Sequence, residues 1–356
     1  MSTTNRFEVT FWGVRGGYPV PGPGTVRYGG NTTCLEVRAG DHLIIIDSGT
    51  GIVPLGRKLS DAMAENDDRL NILLLITHTH HDHIQGFPFF APAYSAGTTL
   101  NIFGPKLFPS DLEEVLRRSM MSPRFPVSLD ELPCNRRIGI IRDRDMIILT
   151  EPDAVPQVIN VLREEPSLPG DTVRITALRS LTSHPDGITF YRVEYQGRAM
   201  VFASDTEGYI GGNQQLIRFA KGAHLLIHDA ELTEEEYMSR QGWGHSTWQM
   251  ACDVGRQAGV ERLALTHHNA MHDDDDLDAI AEAADAAMPG VFLAHEGRPS
   301  TCATISPIPS PSRILSHATP GGARRPVLCL QARGLARPSK AGCYFQRTPQ
   351  MDEIDV

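Results

Sequence analysis

Six consecutive residues, His78-Thr79-His80-His81-Asp82-His83, hold four histidines and an aspartate. They follow Asn71–Ile76, NILLLI, after a single threonine. An unbroken apolar run of this length reads as a strand buried on both faces. The cluster therefore leaves a sheet at a strand's carboxyl end. In extended chain, residues i and i+2 point the same way, so His78 and His80 can turn their imidazoles to one ion. Asp82 and His83 come where the chain turns and can supply a second ion. Imidazole with carboxylate suits zinc, or manganese and iron, better than calcium. His81 falls outside the pattern and reads as a neighbour of the site or a solvent-facing residue. Hydrogen-bonded core histidines would explain a lone histidine but not this spacing.

Further ligands stand in comparable places. Asp205 follows the apolar run Ala199–Ser204, His267 follows Glu261–Thr266, and His184 precedes a run that begins at Ile188. Open α/β sheets gather their sites at strand carboxyl ends, where chains leave the sheet and converge. Asp205 is a carboxylate and can bridge two ions. Two ions roughly 3.5–4 Å apart generate a nucleophilic hydroxide and clamp both oxygens of an in-line displacement.

Periodicity predicts strands at 7–12, 34–37, 42–46, 71–76, 100–103, 173–177, 188–193, 199–203, 224–227, 262–265 and 291–293. It predicts helices near 51–65, 110–121, 212–220, 246–258 and 274–287. Hairpin-like groups mixed with helix–strand alternation point to an α/β chain of two sheets with helices packed outside. No short internal repeat is present. Residues 104–137 form an insert with one amphipathic helix and a proline-rich run. Its place suits either a lid over the site or a helix covering a sheet edge. From Pro307 onward, seven prolines and seven Lys/Arg against three Asp/Glu mark a tail without period. The expected organisation is a folded domain over 1–306 and a flexible tail over 307–356.

The 356-residue chain carries a formal charge of −10. That argues against a large nucleic-acid footprint, which needs a basic face. A small anionic substrate held by metals is compatible with it. The amino terminus shows no signal pattern, and no window reaches the ~18 apolar residues of a membrane span. Six scattered cysteines without a CxxC read as reduced thiols, which suits a cytoplasmic protein.

Together, HTHHDH, the later His184, Asp205 and His267, and Asp47 in IIIDSGTG resemble the metallo-β-lactamase superfamily. The resemblance runs from about Phe7 to Ile305. It implies a four-layer αβ/βα sandwich. It implies one metal on His78, His80 and His184, a second on Asp82, His83 and His267, and Asp205 bridging. The two divalent ions are expected to be zinc, with manganese or iron as alternatives.

Gly244-His245-Ser246-Thr247 resembles the HST segment of the ribonuclease-Z-like phosphodiesterase branch. Ser246 with Gln249 makes a capping-box pattern, so a helix is expected to start at Ser246 and place His245 at its amino end. His228-Asp229-Ala230-Glu231 resembles that branch's HEAT segment, with Asp229 in the place of its glutamate, one methylene shorter. Asp229 would then orient His245, which assists the departing oxygen. Asp82 would accept the nucleophile's proton. Arg15, Arg117, Arg118 and Arg124 are candidates for further phosphate charge or for surface solubility.

Transfer-RNA-processing members carry a long arm between the third metal histidine and the bridging aspartate. Here only the twenty residues 185–204 lie between His184 and Asp205. The FWGVRGGYPVPGPGTVRYGGNTTCLEV opening resembles small-molecule members, including those acting on cyclic nucleotides and cyclic phosphates. The expectation is a binuclear phosphodiesterase of a small diester, working through a metal-bridging hydroxide. Homodimers recur in the family. A lactonase, or a thioester or sulfate-ester hydrolase, is the runner-up enzyme class. A non-catalytic metal-binding regulator is the answer of another class.

Asp273–Asp276 reads as a cap and first-turn carboxylates for the following helix, with His268 and His272 as neighbours of the site. Gly29 and Gly30 read as a tight turn beside the site.

Overall fold

Among the described residues, fourteen strands pair into two mixed sheets. In this computed structural model the described residues are 6–66, 69–106, 110–164, 168–209 and 211–297. The expected tail at 307–356 and the domain boundary at 306 lie outside them.

The first sheet runs β1 (Phe7–Gly13), β2 (Cys34–Ala39), β3 (His42–Ile46), β4 (Leu70–Leu75), β5 (Thr98–Pro105) and β6 (Asn135–Ile141), in that spatial order. The pairs β1–β2 and β2–β3 are antiparallel; β3 through β6 are parallel. The second sheet comprises β7 (Asp145–Leu149), β8 (Gln157–Asn160), β9 (Val173–Ser180), β10 (Ile188–Tyr195), β11 (Arg198–Ala203), β12 (Leu225–Asp229), β13 (Arg262–Thr266) and β14 (Val291–Leu293). Its spatial order is β14-β13-β12-β11-β10-β9-β7-β8, and β11 through β14 are parallel.

The parallel strands explain the apolar runs, because both of their faces are buried. In β3 and β4, Ile44, Ile46, Leu73 and Leu75 face a central core shared with Ile175, Tyr191, Phe202 and Ile227 of the other sheet. Their neighbours Ile45, Ile72 and Leu74 face outward, against α1 (Ile52–Asn66) and α3 (Leu112–Ser119). On the far side α4 (Gln214–Ala220), α6 (Trp248–Ala258) and α7 (Asp274–Ala287) cover Val201, Leu226, Leu263 and Leu265. Helix, sheet, sheet, helix is the four-layer α/β sandwich expected of the chain.

Local chemistry starts the helices. Asp111 accepts the Glu114 N–H and caps α3, with Glu113 and Glu114 in its first turn and Arg117 and Arg118 in its last, complementing the dipole. Asp273 and Asp276 form a capping box for α7, so the acidic run is a helix start. Within the 104–137 insert, Leu112, Leu116, Met120 and Leu129 are buried in the outer core of the first sheet.

The structure adds elements that periodicity missed: β6, β7, β8, the short α2 (His81–Ile84) and α5 (Glu234–Arg240). It also corrects the start of α6. Its cap is Thr247, which accepts from the Met250 N–H, and not Ser246. Ser246 is drawn away from the helix: its N–H donates to Asp229 Oδ1 at 2.8 Å and its hydroxyl to the Thr206 carbonyl. His245 therefore lies one residue further from the helix, outside its first turn, where the dipole's influence has faded.

Candidate metal centre

Parallel strand ends position the site, and three of the turns there are tight. Asp47, Asp205 and His267 sit at positive φ, 62°, 55° and 61°. Each comes directly after β3, two residues after β11, or directly after β13. The left-handed conformation breaks the strand at once and turns the side chain across the sheet's end.

The first histidine group is His78, His80 and His184, whose candidate ligand atoms lie within 4.8 Å of one another. His78 Nε2 is buried without a hydrogen-bond partner. His184 Nε2 faces His80 Nδ1 at 3.0 Å, a separation that needs a proton or a cation between the lone pairs. His184 Nδ1 donates to the Gly244 carbonyl at 3.1 Å, which leaves Nε2 for the cluster. Burial, with the neighbouring histidines His83, His184 and His80, holds His78 well below the ordinary imidazole range.

The second group is Asp82, His83, Asp205 and His267, all buried. His267 Nε2 lies 3.1 Å from Asp82 Oδ2 and 3.0 Å from Asp205 Oδ1. His83 Nε2 lies 3.2 Å from Asp205 Oδ2. At that distance neither His83 Nε2 nor Asp205 Oδ2 has an aligned hydrogen bond. Atoms so close yet unaligned point at a common centre. Asp205 Oδ1 is also 4.0 Å from His78 Nε2, which puts this carboxylate between the two groups.

Burial opposes charge on His83 and His267, but the carboxylates, Asp205 foremost, outweigh it and raise both well above the imidazole range. Burial likewise works against Asp82, and His83 and His267 reverse it, so that its carboxyl falls far below the usual range. The pocket thus concentrates negative charge that only protons or cations can balance. The unpartnered His78 Nε2, His83 Nε2 and Asp205 Oδ2 fit divalent ions. The two groups are consistent with a binuclear centre of nitrogen and oxygen donors.

A ring of acceptors orients these imidazoles. His83 Nδ1 donates to Asp47 Oδ2 at 2.8 Å, and Asp47 also receives the Thr77 N–H and hydroxyl. His267 Nδ1 donates to Glu231 Oε2 at 3.0 Å. Locked tautomers of this kind are what metal-binding histidines need.

His245 stacks on His267 with ring centroids 5.0 Å apart and meets the His184 ring edge-on. Its Nδ1 lies 2.9 Å from Asp229 Oδ2, so the shorter aspartate arm does reach. It reaches because Asp229 closes β12 and its other oxygen is pinned by the Ser246 N–H. Burial tends to lower His245, and Asp229, helped by Glu231, more than offsets this and raises it.

All seven expected metal ligands, with Asp229 and His245, thus meet in one place. The expected outliers stay outside: His81 is exposed, His268 donates from Nε2 to the Ala294 carbonyl, and His272 pairs with Glu236. Three of the four candidate arginines have other partners in the fold. Arg15 is fully buried and holds the Gly29, Asn269 and His272 carbonyls, the first from the turn at Gly29. Arg117 is paired with Asp130 and Glu113, Arg118 with Glu114 at 2.6 Å, and Arg124 is exposed.

Three residues escaped the sequence reading. Glu231 supports His267, and its signal was its position two beyond Asp229 at a strand end. Glu207 accepts from the Tyr237 hydroxyl and the Gly242 and Gly244 N–H groups. Gly244 supplies the carbonyl that orients His184.

The model of the β-lactamase superfamily domain matches residues 42–268. Ribonuclease Z of Synechococcus sp. (strain CC9311) is 26% identical over 328 residues, covering 81% of this chain and 96% of that protein. Ribonuclease BN of Cronobacter sakazakii (strain ATCC BAA-894) is 27% identical over 247 residues, covering 63% and 79%. The crystal structure of the metallo-β-lactamase fold protein YhfI from Bacillus subtilis superposes with a TM-score of 0.54 at 22% identity, covering 82% of this chain and 97% of that one.

Proposed function

The chain belongs to the β-lactamase superfamily, as a metal-dependent hydrolase, and on that premise we propose that it is a binuclear phosphodiesterase of small diesters. The observation that carries the reading is His245, backed by Asp229 at 2.9 Å and stacked on His267. An alkoxide leaving phosphorus needs a proton, and a carboxylate-supported histidine supplies one.

His78, His80 and His184 would hold one divalent ion and Asp82, His83 and His267 the other, with the Asp205 carboxylate standing between the two groups. The donors suit zinc, with manganese or iron as substitutes. When bound, such a pair supplies an activated water near neutral pH and balances the phosphoryl charge. Around it the chain's own groups act. Asp82 Oδ2 is fixed by the Gly17 N–H at 2.9 Å, leaving Oδ1 to take the water's proton. His245, its Nδ1 committed to Asp229, presents Nε2 to the departing oxygen. Glu231 and Asp47 keep His267 and His83 in the tautomers that face the centre.

A small substrate fits two observations. The stretch between His184 and Asp205 is taken up by the β10–β11 hairpin, and the chain is acidic. The ribonuclease relatives support phosphodiester chemistry as such.

The test is hydrolysis of bis(p-nitrophenyl) phosphate by zinc- or manganese-loaded protein. The wild type turns over and His78→Ala is inactive. His245→Ala loses about 10²–10⁴-fold in kcat while retaining its metal. A loaded wild type idle on the diester but active on a lactone or thioester would move the assignment to that chemistry. Inactivity on all of them, with metal bound, would favour a binding protein.

A further inference from the structure

We infer, building on the phosphodiesterase reading, that the cleft beside His184 selects substrates by charge: it receives an uncharged or cationic ester group and rejects one that carries a further phosphate. The cleft has a volume of about 510 Å³ and runs from His184 past Leu181 and Asp186 to Glu207, Tyr209 and Tyr237. It borders His184 of the first histidine group, so an ester group that leaves the metal centre past His184 enters it.

Its chemistry is one-sided. No lysine or arginine is among its described lining residues, whereas two carboxylates are. The arginine of α5, Arg240, is committed elsewhere, ion-paired with Glu236 at 3.4 Å and stacked over Trp243. Glu207 is already satisfied by three donors. Asp186 is not enclosed: its side chain is 90% exposed, with Oδ2 3.8 Å from His80 Nε2 at the cleft's mouth. Apart from His184, the remaining lining is uncharged, with Leu181, Pro185 and Tyr209 beside the neutral polar Thr182 and Gln241. Leu181 and Tyr209 are both exposed, and Tyr209 spends its hydroxyl on the Thr182 carbonyl at 2.6 Å, so it offers the cleft chiefly its ring.

A neutral ring finds Tyr209 and Leu181 to pack on, and a hydrogen-bond donor or ammonium finds Asp186. A second phosphate finds two carboxylates and no counter-charge. Repulsion of this kind is how a site discriminates against a wrong partner. The preference separates this chain from any enzyme that must hold a polyanionic strand beside its centre.

Full-length, zinc-loaded protein tests this with three p-nitrophenyl diesters: p-nitrophenyl phosphocholine, the p-nitrophenyl ester of thymidine 5′-phosphate, and that ester with an added 3′-phosphate. The first two are expected to exceed the third in kcat/KM by about tenfold or more. Leu181→Lys, at an exposed position, should raise the third about fivefold and lower the cationic one. Asp186→Asn, which tolerates the positive φ there, should shift both the same way by less. If the third diester matches the second, or neither variant narrows the gap between the third diester and the first two, the inference is overturned. If these diesters and bis(p-nitrophenyl) phosphate are all inert, the phosphodiesterase reading itself falls, and the inference with it.

Discussion

The Gly244 N–H donates to Glu207 at 2.7 Å, while the Gly244 carbonyl accepts from His184 Nδ1 at 3.1 Å. One buried carboxylate thereby holds the glycine whose carbonyl orients His184 and which His245 follows. Gly244 has φ of +94°, and a Cβ there would lie 2.1 Å from His184 Nδ1. Gly244→Ala must push His184 away. Metal analysis should find about one ion per folded chain instead of two, with activity down about 10–100-fold. Two retained ions and normal turnover would remove Gly244 from the support of the site.

Asp47 touches His83 and Thr77. Asp47→Asn keeps the shape and suits the positive φ but removes the charge that makes His83 a strong donor ligand. Affinity for the more weakly held ion should drop about 10–100-fold in competition with a chelator, with little change in thermal stability of the stripped protein. Unchanged affinity would mean that Asp47 serves folding alone.

The expected ligands come from both sheets: His78, His80, Asp82 and His83 follow β4, while Asp205 and His267 follow β11 and β13. Bound ions therefore stabilise the native chain against an unfolded one that lacks the site. Complete chelation should lower Tm on the order of 10 °C, and returning zinc should restore it. A Tm indifferent to verified metal removal would contradict a shared centre.

His224 is buried, and its Nδ1 accepts the Ala199 N–H at 3.1 Å, so it is neutral in the fold. Burial pushes its pKa down, and the nearby Glu261 only partly opposes this. With the folded value below the unfolded one, the unfolded chain binds the proton first as pH falls. Stability from this group is present above about pH 6.5 and is lost as pH drops through the folded value. Urea unfolding should show the wild type losing ground to His224→Asn between pH 7.5 and 5.5. A constant difference between the two would refute the assignment.

The sequence was most legible where burial is two-sided. β4, β11 and β13 are apolar on both faces and lead into candidate ligands, so strand and ligand announced each other. β6, NRRIGII, and β8, QVIN, carry too much polar surface to stand out, and both lie at sheet edges. α5, EEEYMSR, buries no residue and so has no apolar period. Its capping box, Thr233 with Glu236, was the overlooked sign. The misplaced start of α6 has a related cause, since two adjacent hydroxyls competed and tertiary bonding to Asp229 and Thr206 claimed Ser246. Glu207 and Gly244 were illegible because their parts depend on loops meeting across the fold rather than on spacing along the chain, and Glu231 had only its place two beyond Asp229 to mark it.

The left-handed turns at Asp47, Asp205 and His267 narrow what mutation can do there. Glycine relaxes such a backbone but carries no donor, and most other side chains pay for the turn with strain. Asparagine tolerates it nearly as well as aspartate. At Asp47 and Asp205, a single base change in an aspartate codon therefore leads to a chain that still folds around the same cavity with a weakened grip on its ions. A descendant of this protein that keeps the shape and abandons the chemistry has a short road to travel, and that road starts at the two turns where the backbone already bends against preference.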